Sequence, residues 1–195
     1  YSWNIGMGTD FTSLFAYYLA SPINWIIVLF PQKYMIEIMN SLIILKLAAS
    51  SLLITYYISK HFNTKNCSIA LFGLFYGFSV YVAAYSWNIM WLDCILLLPL
   101  IMLGLERLVN ENKCFLYCIS LGLCIYTNYY IAIMVCMSVV IYFVVLIIAY
   151  DGLKHPKIYI KKTLNWCIYS LLAGGLSACL LLPEMYTFSL SASSD

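Results

Sequence analysis

Residues 35–58 form an apolar run long enough to cross a bilayer, and a lysine, Lys46, stands near its middle. A membrane-spanning helix needs about 20 predominantly apolar residues, so this run fixes one span before anything else is read. A lysine at the centre of such a helix costs roughly 2.5–3.5 kcal/mol. It therefore needs an anion, supplied either by another helix or by a lipid or substrate phosphate. The remaining option is to snorkel outward, which from mid-helix strains the reach of the side chain. Glu37 cannot be the partner. It lies nine residues earlier on the same helix, two and a half turns away, on the opposite face and about 13 Å along the axis.

The rest of the chain has the same character. Of its 195 residues, 64% are hydrophobic and 9% charged, where a soluble domain carries about 25% charge. The fold class is an all-α polytopic membrane protein. A net charge of +2 without a clustered basic stripe excludes nucleic acid as a partner. The eight cysteines lie in or at the ends of apolar segments, without a Cys-x-x-Cys pair. They read as small apolar helix residues rather than as disulfide or metal ligands. The chain begins at Tyr1 and ends at Asp195 directly after an apolar segment, and both ends read as those of a piece of a larger protein.

Six apolar segments are separated by polar or charged residues: 35–58, 68–85, 94–108, 114–126, 130–149 and 164–182. About six transmembrane helices are expected. The two segments between 114 and 149 cannot be one helix, because that length exceeds the hydrocarbon thickness. The turn belongs at Thr127-Asn128, the polar break. Segments 94–108 and 114–126 are short, so they are tilted, shielded by neighbours, or paired as a hairpin, and Pro99 kinks the first. Residues 1–33 form an outer-face loop, and residues 34–195 a single membrane bundle. Within the loop, Pro22 interrupts the only stretch long enough to span. Residues 11–20 and 23–30 therefore read as two short interfacial or re-entrant helices, with a true span as the alternative.

Loop charge gives an orientation. Lys60, His61 and Lys65 follow the first span, Arg107 and Lys113 flank the third connection, and Lys154, Lys157, Lys161 and Lys162 fill the fifth. The intervening connections, 86–93 and 127–129, carry no Lys or Arg. The positive-inside rule places the basic loops in the cytoplasm. The opposite face then gathers Asp10, Asn88, Trp91, Asp93, Asn128 and Glu184.

Each of these has a structural and a functional reading. Asp93, just before an apolar helix, is suited to cap it, and equally to serve as a general base or metal ligand. Asp10 follows Gly6-Met7-Gly8-Thr9, which lacks the Lys and Ser of a phosphate loop; it is an outer carboxylate within reach of a sugar or metal. Asn128 opens a helix as its cap, with Tyr129 and Tyr130 as interfacial anchors or as sugar-stacking rings. Glu184 follows Pro183 where the last segment exits. His61 and His155 read as solvated. Gly174-Gly175 with Ser177-Ala178 supplies a face for close helix packing.

Together these motifs resemble a known family. Tyr1-Ser2-Trp3-Asn4-Ile5-Gly6-Met7-Gly8, Ala16-Tyr17-Tyr18-Leu19-Ala20-Ser21-Pro22 and Ala84-Tyr85-Ser86-Trp87-Asn88-Ile89-Met90-Trp91-Leu92-Asp93 are similar to the bacterial YfhO membrane proteins. Leu45-Lys46, Leu98-Pro99-Leu100, Leu105-Glu106-Arg107-Leu108 and Thr127-Asn128-Tyr129-Tyr130 fit as well. The resemblance covers nearly the whole chain. It implies a GT-C type glycosyltransferase in the bacterial cell membrane, acting on the outer face. The donor would be a polyprenyl-phosphate sugar and the acceptor a cell-envelope glycopolymer such as lipoteichoic acid. It also implies a longer protein, with one more span before this segment, many after it, and the principal catalytic carboxylate upstream of Tyr1. On that reading Asp93 or Asp10 activates the acceptor hydroxyl or holds a divalent metal. Lys46 meets the donor phosphate, and Asn88, Trp91, Asn128, Tyr129, Tyr130 and Glu184 line the sugar pocket. The rival readings are a lipid or anion transporter, and a non-catalytic assembly subunit in which Lys46 pairs structurally.

Overall fold

The computed structural model describes residues 11–151 and 156–189, and these are helical with no strand among the described residues. The entry segment runs through α1 (Phe11–Leu14), a π-helical turn (Phe15–Leu19) and two 3-10 turns (Asn24–Leu29, Gln32–Tyr34). The long helix α2 (Met35–His61) follows, then α3 (Ser68–Gly77) and α4 (Val80–Tyr85). The second half holds α5 (Leu92–Glu111), α6 (Phe115–Thr127), α7 (Tyr129–Asp151), α8 (Pro156–Leu176) and α9 (Ala178–Ser189).

All six apolar segments are helical, but they are not equivalent. Three stretches, Gln32–His61, Ser68–Tyr85 and Tyr129–Ala149, are long and apolar enough to cross a membrane alone. Lys157–Leu176 with Ala178–Thr187 makes a fourth if its 72° bend is counted as one broken span. Helix α6, with 13 residues, reaches only about 20 Å against about 30 Å of hydrocarbon. Helix α5 is longer than the sequence pattern predicts, at 20 residues, yet carries Asp93, Glu106, Arg107 and Glu111. It tolerates them because it is shielded: α2, α6 and α7 pack around it, and Leu92, Asp93, Ile101 and Leu105 are all essentially inaccessible. The chain reverses from α5 into α6 at Asn112, whose φ of 56° is left-handed, a conformation Asn accepts at a helix end.

Pro99 sits inside α5 and cannot donate to the carbonyl four residues earlier. That carbonyl belongs to Ile95, and it accepts a hydrogen bond of 2.7 Å from the Tyr76 hydroxyl of α3. One side chain thus closes the gap the proline opens and ties α3 to the central helix.

Close helix approach occurs elsewhere than the sequence suggests. A Cβ on Gly104 would lie 2.6 Å from the Tyr117 nitrogen and 2.7 Å from its Cα, so α5 and α6 touch backbone to backbone there. On Gly73 it would lie 2.0 Å from Thr55 Oγ1, and on Gly77 2.0 Å from Ser51 Oγ. Gly174 and Gly175, expected to form the packing face, have nothing within 4 Å of such a Cβ among the described residues. The neighbouring Ser177 carries that contact instead, donating to the Gly122 carbonyl at 2.7 Å.

Tyr76→Phe strands the Ile95 carbonyl and is expected to lower unfolding free energy by about 1–3 kcal/mol. In a Pro99→Ala background the residue 99 amide can serve that carbonyl, and the same substitution is expected to cost little. Denaturation of the four proteins in detergent measures the difference.

Candidate functional site

Lys46 is 1% exposed, and its ammonium sits among three acceptors. It donates to Asp93 Oδ2 at 2.9 Å, to Asn24 Oδ1 at 2.7 Å and to the Ile89 carbonyl at 3.0 Å. An ammonium has three N–H donors, so all are used. The anion that Lys46 requires is a carboxylate of α5, and the site gathers one group from each of four segments: entry turn, α2, the 86–91 connection and α5.

Asp93 lies in the first turn of α5, and the helix start has no side-chain cap bond. The capping role expected for Asp93 is therefore replaced by the ion pair, because Oδ2 turns toward Lys46 rather than back to the helix amides. The positive end of the helix still favours its charge. Its second oxygen, Oδ1, is buried without a hydrogen-bond partner among the described residues, as is the Trp91 indole N–H.

A second clamp fixes the same two helices. Glu106 Oε1 accepts from Tyr57 Oη at 2.9 Å and from the Tyr142 hydroxyl of α7, and it bonds His61 Nδ1 at 2.7 Å. From Lys46 to His61 is fifteen residues and from Asp93 to Glu106 thirteen, in both cases about 20 Å of helix. Helices α2 and α5 therefore run parallel, locked by polar contacts near both ends of α5. His61, read from sequence as solvated, is instead a partner of Glu106, with 37% of its side chain exposed.

The remaining expected site residues lie near the Asp93 end. Tyr85, Trp91 and Tyr130 form an aromatic row, with ring centroids 5.6 Å and 6.3 Å apart in turn. Asn88 is buried, and its carbonyl accepts from the Trp91 amide at 2.9 Å. Asn128 caps α7, accepting from the Ile131 amide at 2.9 Å, and its side-chain amide reaches the Tyr17 carbonyl of the entry segment at 3.4 Å. The Tyr129 hydroxyl donates to Glu184 Oε1 at 3.4 Å. Glu184 is 3% exposed, and its Oε2 has no hydrogen-bond partner among the described residues. Cys94 joins the groups: its thiol is 3.8 Å from the Asn128 carbonyl. Asp10 lies outside the described residues, as does His155. Among the described residues no three His, Cys, Asp or Glu side chains converge to hold a metal.

Sequence reasoning missed Asn24, Glu106, Tyr57 and Tyr142. Asn24 is a lone polar residue between Ile23 and Trp25 in an apolar stretch. A polar side chain in such a place implies a buried partner, and that signal was available.

The family described as "Bacterial membrane protein YfhO" matches residues 1–194, and the chain belongs to it. No curated protein and no solved structure matches the chain.

Asn24→Ala removes one acceptor from the buried ammonium. It is expected to destabilise the protein by about 1–3 kcal/mol and to raise amide exchange across residues 21–29 well above that in α5. Mass-resolved hydrogen exchange reads this directly. Asn128→Ala is expected to cost about 1 kcal/mol through the lost cap, with faster exchange confined to the first turn of α7.

Proposed function

We propose that the protein takes part in glycosyl transfer at a membrane surface, moving a sugar from a polyprenyl-phosphate carrier to a cell-envelope polymer such as lipoteichoic acid. The observation that carries the reading is two buried carboxyls at one end of the bundle, Asp93 and Glu184, each with an oxygen lacking a hydrogen-bond partner among the described residues. Trp91, two residues before Asp93, has an indole N–H without a partner among the described residues and a ring 6.3 Å from that of Tyr130, and Glu184 lies against Tyr129. A sugar presents hydroxyls that both donate and accept, and an apolar ring face. Free carboxyl oxygens, an indole donor and aromatic surfaces complement both.

The roles divide by partner. Lys46 holds Asp93 in position, leaving Oδ1 to accept from an acceptor hydroxyl. Glu184 is tethered by the Tyr129 hydroxyl, leaving Oε2 to do the same. A donor phosphate reaches the Lys46 ammonium only by displacing Asn24 or the Ile89 carbonyl, since its donors are full. The phosphate role of Lys46 thus requires the entry segment to move. The basic loops face the cytoplasm in this reading, which puts Asp93 and Glu184 toward the outer leaflet. The transfer inverts the sugar carbon, as the GT-C resemblance implies.

The complete hydrogen bonding of Lys46 favours a second reading, a non-catalytic assembly subunit in which the ion pair is structural. The full-length protein, reconstituted with radiolabelled polyprenyl-phosphate sugar and envelope polymer, separates the two. The enzyme reading expects label to move from carrier to polymer. It also expects Glu184→Gln to lower turnover by about 10²–10⁴-fold, the range for a lost general base, at unchanged thermal stability. Label that stays on the carrier, or that crosses the bilayer with the sugar–phosphate bond intact, refutes the enzyme.

A further inference from the structure

The far end of the α2–α5 pair holds a polar cavity of about 360 Å³, lined by Lys60, His61, Leu103, Glu106, Arg107, Asn110 and Glu111. We propose that it binds a phosphate-type anion, through Arg107 and Lys60 with His61 and Asn110 as further donors.

The charge accounting decides the sign of the ligand. The cavity has two carboxylates, and each already has a partner on one of its oxygens. Glu106 holds Tyr57, Tyr142 and His61 on one oxygen, and Glu111 is bound by Lys113 at 2.7 Å. The cations are less occupied. The guanidinium of Arg107, which is half-buried, makes no hydrogen bond or ion pair among the described residues, although Glu111 feels its charge. Lys60 overlies the Tyr56 ring at 5.7 Å and makes no ion pair among the described residues. A guanidinium without a partner beside a polar cavity is suited to a phosphate, whose oxygens match its planar fork. The carbonyls at the C-terminal ends of α2 and α5 repel an anion, so the side chains alone must hold it.

The surroundings bear on the source of that phosphate. Tyr56, near the end of α2, and Phe62, which follows it, are 44% and 68% exposed. Exposed aromatic rings beside basic residues at a span terminus mark headgroup depth, and basic pockets between membrane helices accept anionic headgroups. A phosphodiester headgroup and a free phosphate share the chemistry that Arg107 recognises.

The test uses the full-length protein in detergent. Native mass spectrometry follows binding of phosphatidylglycerol and of phosphatidylcholine with the same chains, and inorganic phosphate is added as competitor. Phosphatidylglycerol is expected to bind more tightly. Arg107→Gln should weaken it about fivefold and Lys60→Gln/Arg107→Gln about 25-fold. Arg107→Lys, which keeps the charge but loses the planar fork, should bind more tightly than Arg107→Gln and less tightly than the unsubstituted protein, which guards against a folding defect. Lys65→Gln, an exposed charge outside the cavity, should change nothing. Displacement by inorganic phosphate at matched concentration assigns the site to free phosphate, and resistance assigns it to the lipid; both support an anion site. Equal affinity for the two lipids without phosphate binding overturns the proposal. So does a Lys65→Gln effect as large as that of Arg107→Gln.

Discussion

An ammonium and a carboxylate buried side by side, Lys46 and Asp93, set the terms for the rest of this bundle. In a low-dielectric interior, neither charge can be left alone. Their contact forces α5 to begin beside a point eleven residues along α2 rather than beside its start. The first turns of α2 therefore stand beyond α5. The entry segment folds down there, and Asn24 completes the coordination of Lys46. With the Glu106 clamp at the other end, the two helices are held parallel, and α3 and α4 must carry the chain back between them.

The same arrangement gives the bundle two chemically different ends. At one, Asp93 and Glu184 each have an oxygen without a hydrogen-bond partner among the described residues, and Glu184 lies against Tyr129. At the other, Glu106 and Glu111 each have partners, while the side chains of Arg107 and Lys60 make no ion pair among the described residues. The central helix α5 connects the two and carries charge at both, which explains why it is buried rather than lipid-facing. The YfhO family membership places this architecture in bacterial membrane proteins. The proposed sugar chemistry belongs to the first end and the proposed anion site to the second.

Much of this was legible in the sequence. The length of the 35–58 run and the cost of Lys46 pointed to a partner on another helix, a phosphate or snorkelling, and the structure pairs it with a carboxylate of α5. The turn at Thr127-Asn128, the cap on α7 and the short helices after residue 10 follow from local chemistry, and the structure has each of them. What was not legible depends on distance in the chain. Asn24 meets Lys46 across 22 residues and Tyr57 meets Glu106 across 49, and no local pattern encodes either. Asp93 looked like a cap because its neighbours on one strand of sequence are helix amides; its true partner lies 47 residues away. Glycines behaved likewise: Gly104 is tight because Tyr117 returns against it, while a Cβ on Gly174 or Gly175 would meet nothing within 4 Å among the described residues. Three or four of the apolar segments are long and apolar enough to cross alone, while α6 is short and α5 carries charge.

Lys46 and Asp93 act as one unit. A double-mutant cycle of Lys46→Met and Asp93→Leu, measured by unfolding in detergent, tests this most directly. Each single substitution leaves a buried charge unpaired and is expected to cost about 3–5 kcal/mol. The double variant, with neither charge, is expected to cost several kcal/mol less than their sum. Additive costs would contradict the account, because they would mean that the two charges are stabilised independently of one another.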